Sequence, residues 1–68
     1  MNDSDARTKA FETAGTIRVM VTDIEILAAD ISDGEVDRLV EVLRYDTIRL
    51  GDRLTVLKYE RLRELGEA

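Results

Sequence analysis

Residues 32–35, Ser32-Asp33-Gly34-Glu35, are the one strong turn signal in the chain, and their reading decides the fold. A Ser hydroxyl can accept from the first backbone N–H groups of a helix, and a Glu three residues on can reach back to the cap's own N–H. Gly34 is a weak helix former placed at the joint. Ser32, Gly34 and Glu35 therefore predict a capping turn that starts a second helix. The expected organisation is one domain over residues 1–68. Arm one runs from about 5 to 31, the turn covers 32–34, and arm two runs from about 35 to 65.

Arm two carries the clearer pattern. Val36, Leu39, Val40, Leu43, Thr47, Leu50, Leu54, Leu57, Leu62 and Leu65 fall on one broad face when each residue turns the helix by ~100°. Gly51 and the Tyr45–Ile48 segment are poor helix formers inside this stripe. Leu50-Gly51-Asp52 offers a possible break, but the stripe keeps phase across it, which favours a continuous helix. Gly66 is a natural stop, with Arg61 and Arg63 suited to the negative end of the helix dipole.

Arm one can be read in two ways. As a helix, Ala10, Ala14, Ile17, Val21, Ile24, Ala28 and Ile31 step by four and three, the spacing of a heptad seam, widened by Met20 and Leu27. As a strand, Thr16 to Thr22 is rich in β-branched residues, with Ile17, Val19 and Val21 alternating. The seam persists through Ile31 with no turn chemistry between the two halves, which favours the helix. Ser4 with Arg7 makes a poor cap, so the helix start is less sharply marked, and a short frayed tail is expected.

The expected fold class is all-α, an antiparallel helical hairpin assembling into a four-helix bundle. The alternative is a ribbon-helix-helix-like α+β dimer that would bind DNA through a strand at 16–22. Such a strand would present Arg18, Met20 and Thr22, of which only Arg18 is a strong phosphate or guanine reader.

Composition narrows the function. A chain of 68 residues buries only about 60% of the surface exposed when unfolded, so a domain this small is marginal alone. There is no cysteine and no histidine, which removes disulfides, thiolate metal sites and the commonest general base. Association with a second copy or another protein is the remaining source of stability. The net charge is −5, with −4 on residues 1–33 and −1 on 34–68, a balance opposed to sequence-independent nucleic-acid binding. It also makes the chain only a mild acidic mimic of nucleic acid. No apolar run reaches the ~18 residues of a membrane span. The acidic start Met1-Asn2-Asp3-Ser4-Asp5 is unlike a secretory signal, so a cytoplasmic location is expected.

Candidate site residues come from what one buried face per helix would leave over. Val19 and Ile26 lie opposite the seam of arm one. Val42, Tyr45, Ile48, Val56 and Tyr59 lie roughly opposite the leucine stripe of arm two. A helix apolar on two sides usually sits in a bundle or against a partner. These seven residues are the expected partner interface, for a homodimer, another protein, or both. Single apolar residues on a surface are also ordinary, and a Tyr at a core edge with a wet hydroxyl is equally common.

Other signals are weaker. Arg38, Arg49, Arg53 and Arg63 share one side of arm two, and a solvated face with local pairs to Asp46 and Asp52 accounts for them. Asp23 and Asp30 repeat at seven, as a bundle-rim row does. Asp30, Ser32, Gly34 and Glu41 occupy four positions of a calcium-loop pattern, but the position that requires glycine holds Glu35. No metal and no cofactor is expected. No phosphate-cradling loop, nucleophile elbow or Glu-x-x-His pair is present, so the chain reads as a non-enzymatic interaction module: a small adaptor, regulatory subunit or inhibitor.

Overall fold

Two long helices packed side by side make up the computed structural model, which describes residues 1–66. Helix α1 spans Asp3–Ala29 and helix α2 spans Gly34–Glu64. The hairpin measures 50 × 18 × 16 Å. Its radius of gyration is 15.4 Å, against ~11 Å for a compact domain of this length. No strand occurs among the described residues.

The β-branched stretch 16–22 is helical, so the ribbon-helix-helix alternative is corrected. Helix propensities differ by only a few tenths of a kcal/mol per residue, and packing overrides them. Here the deciding contact is Val21, buried in line with Ala14 and Ala28 at intervals of seven. The local threonines adapt to the helix. Thr22 Oγ1 donates to the Arg18 carbonyl at 3.1 Å and Thr13 Oγ1 to that of Lys9 at 2.8 Å. Helix α1 also starts earlier than expected, without a frayed tail, because Asn2 caps it: its Oδ1 accepts from the Asp5 N–H at 2.8 Å. Asp3 and Asp5 then lie at the positive end of the dipole.

The turn is where expected, but its cap sits one residue later. Ser32 does not cap α2, and Glu35 does not close a capping box. Ser32 has φ +56°, in the left-handed region, where it reverses the chain after the Ile31 N–H has bonded to the Ala28 carbonyl at 3.0 Å. A cap needs extended backbone, and Asp33 has it, with φ −121° and ψ 120°. Asp33 Oδ1 accepts from the Val36 N–H at 2.9 Å. Gly34 is then the first helical residue, and Glu35 adds negative charge to the first turn. Asp33→Ala is expected to cost about 1 kcal/mol. Ser32→Gly, which relieves a left-handed non-glycine residue, is expected to stabilise by up to ~1 kcal/mol. Opposite shifts of the thermal midpoint by roughly 4–8 °C per kcal/mol check this pair. A loss from Ser32→Ala with none from Asp33→Ala would return the cap to Ser32.

Helix α2 runs without interruption through Tyr45–Ile48 and Gly51. Thr47 and Thr55 donate their hydroxyls to the carbonyls of Leu43 and Gly51, at 2.7 and 2.8 Å.

Candidate interaction surface

The interior of the hairpin is small. Its buried residues are Ala14, Val21 and Ala28 from α1 and Thr47 from α2. Three α1 residues buried at a strict spacing of seven define a 3.5-residue repeat, the geometry of helices that wind around each other. The line of closest approach is therefore made of small side chains, and bulkier residues are displaced to either side of it.

One side is polar. On α1 it carries Phe11, Arg18 and Glu25, a row spaced by seven in which Arg18 and Glu25 lie four residues past buried Ala14 and Val21; on α2 it carries Arg44, Gly51 and Lys58. The contacts across it fix the register. Arg44 Nη1 lies 4.0 Å from Glu25 Oε2. Lys58 Nζ sits 4.3 Å from the Phe11 ring centre. On the central line itself, Arg7, seven residues before Ala14, donates to the Leu57 carbonyl at 2.8 Å. Near the open end, Arg61 lies 3.6 Å from Asp3 and 3.0 Å from Glu64, while Asp3 also holds Arg7 at 3.0 Å. A shallow recess on this side is lined by Arg18, Val21, Thr22, Glu25, Arg44, Thr47 and Ile48. These partly exposed ion pairs contribute on the order of 0–1 kcal/mol each.

The opposite side is apolar. Ile17, Ile24 and Ile31 stand three residues past the buried α1 positions, rotated ~50° to the other side of the seam from Phe11 and Glu25. By the same register, Ile31 lies level with Val36, Ile24 with Leu43, Ile17 with Leu50 and Ala10 with Leu57. Met20 and Leu27 of α1 and Leu39 of α2 border this row. All of the large residues except Val36 and Leu57 are exposed, from Ile17 at 37% to Leu27 at 64%. The result is one continuous apolar flank, ~20 Å long between the Ile31 and Ile17 levels. The expected seam is thus only half inside the hairpin. Its small members touch α2, and its isoleucines face outward.

The seven residues expected to form the interface are all exposed, but they do not form one surface. Val19 and Ile26 lie on the outer side of α1, facing away from α2. Val42, Val56, Tyr45 and Tyr59 lie on the outer side of α2. Val42, Tyr45 and Ile48 share a shallow recess with Glu41 and Arg44, and Ile48 also borders the polar side. Arg49 does not pair with Asp46 or Asp52; its guanidinium sits 5.7 Å from the Tyr45 ring centre. Ile17, Ile24, Ile31, Leu43 and Leu50 make a further exposed apolar surface, outside the seven residues of the expected interface. The signal for it was size. In the α1 seam one heptad row is Ala14, Val21, Ala28 and the other is Ile17, Ile24, Ile31. Only the small row suits two helices in close approach.

Among the described residues, no group of three acidic, histidine or cysteine side chains is placed to hold a metal ion. No described helix is long and apolar enough to cross a membrane. No family model, curated protein or solved structure matches the chain.

Proposed function

We propose that the protein is a non-enzymatic protein–protein interaction module that self-associates through its apolar flank, completing a four-helix bundle as a homodimer. In that form it serves as a small adaptor, regulatory subunit or inhibitor. A cytoplasmic setting accords with a chain that has no cysteine to oxidise.

The observation that carries this reading is the flank of Ile17, Ile24, Ile31, Leu43 and Leu50, exposed on one side of a hairpin with almost no interior. Its scale suits a partner. The chain exposes 5281 Å², about 1,000 Å² more than the ~4,300 Å² of a compact monomer of 7.7 kDa. A standard interface buries ~800 Å² on each side. Large contiguous apolar surface on a small chain marks an association site.

Sedimentation equilibrium and native mass spectrometry at micromolar concentration test the reading. The expected mass is twice 7.7 kDa. A stable, fully helical monomer would overturn self-association.

A further inference from the structure

Resting on that self-association, we propose that the occupant of the apolar flank is a second copy turned end over end, so that the two turns lie at opposite ends and α2 lies against α2.

The distribution of charge along α2 points to this arrangement. The row that borders the apolar flank on α2 reads Leu39, Asp46, Arg53, Glu60. The row outside it reads Glu35, Val42, Arg49, Val56, Arg63. With the two-fold axis beside Leu50, near the middle of the helix, Leu50 meets its own copy and Leu43 meets the second copy's Leu57. Asp46 then meets Arg53 of the second copy, and by symmetry Arg53 meets Asp46. Farther out, Glu35 faces Arg63 and Val42 faces Val56. Leu39 lies along the aliphatic stem of Glu60, and the two Arg49 side chains stand apart at the solvated edge.

Side-chain size agrees on α1. The same axis passes beside Ile17, which meets its own copy. Ala10 is then opposite Ile24, Thr13 opposite Met20, and Ala6 opposite Leu27. Ala6, Ala10 and Thr13 of the open end thus each receive a large residue from the turn end, while Ile31 and Val36 come level with Asp3 and Glu64 at the ends of the contact. This overlap also matches the two hairpins over their whole length.

The other two-fold arrangement, with both turns at one end, lays α1 against α2 of the second copy. Asp46 would then face Met20, Arg53 would face Thr13, and Glu60 would face Ala6. Leu39 would meet Leu27 there, but Asp46 and Arg53, which pair with each other in the end-over-end arrangement, would each lose their partner of opposite charge, and unpaired charge at a contact is costly. Opposite charges that meet only in one orientation fix which orientation forms.

The chain has no cysteine, so single cysteines report on the arrangement without background. Leu50→Cys is expected to give a covalent dimer in high yield under mild oxidation. Leu39→Cys, ~30 Å from its own copy in this geometry, is expected to give almost none. Separately, Asp46→Arg and Arg53→Asp each create like-charge contacts twice per dimer. Each is expected to weaken association by about tenfold or more, and the double swap to restore it. A dimer in which Ile17→Cys links to Leu50→Cys of a mixed partner while Leu50→Cys fails to link to itself would overturn the end-over-end arrangement and leave self-association standing. So would two charge swaps whose effects simply add. A monomer under all conditions would overturn the underlying reading as well.

Discussion

A chain with aspartate in place of Ile24 and Leu43 is expected to be monomeric and to lose most of its helical circular-dichroism signal at micromolar concentration. The two residues lie level with each other in the middle of the turn-proximal flank and are each 42% exposed in the single hairpin. In a monomer that tolerated this exposure the substitutions would cost little, as surface changes usually do. Placed against a second copy, the two carboxylates enter an apolar layer without a partner, and a buried unpaired charge costs several kcal/mol. Val19→Asp with Tyr59→Asp is the matched comparison. Those residues are at least as exposed but lie on the outer sides of the two helices. That second variant is expected to keep both its mass and its helical signal. A dimer that survives the first pair and dissociates with the second would place the interface on the outer faces.

Ala14→Leu is expected to be the most damaging single substitution within the hairpin. Ala14 is 3% exposed and borders a groove shared with Gly51 and Thr55 of α2. Adding a branched side chain there forces the helices apart at their closest approach. Overpacking of this kind typically costs 1–3 kcal/mol. The thermal midpoint is expected to fall by roughly 4–8 °C for each of these. Ile17→Leu, an equal-volume change at the neighbouring heptad position, is expected to cost under ~1.5 kcal/mol. The ordering of the two midpoints checks the assignment of the small row to the inside. If Ile17→Leu is the more damaging, the two rows are interchanged.

The helical hairpin was legible because two independent signals agreed. The heptad seam of α1 ran through the β-branched segment, and the stripe of α2 held phase across Gly51. The exact cap was less legible. Ser32, Asp33 and Gly34 are three consecutive residues that all suit a turn, and composition does not say which of them takes the left-handed conformation. The candidate surface was the hardest part. Two buried rows and one buried row with one exposed row have the same heptad spacing. They differ only in how closely the helices approach, which small side chains such as Ala14, Val21, Ala28 and Thr47 permit and periodicity alone does not reveal. The outer residues Val19 and Tyr59 stand out in the sequence because a narrow seam leaves them over, whereas the isoleucines sit at positions that a seam normally hides.

The small interior has a consequence for how the amount of protein governs its form. Three small apolar side chains and one threonine supply little of the burial that holds a domain together. If a second copy supplies the rest, folding is second order in chain. Each tenfold dilution then removes about 1.4 kcal/mol of stability per dimer. Scarce chains would stay open to proteases, and abundant ones would protect each other. Expression level would thereby set a threshold, below which the protein is cleared and above which it accumulates.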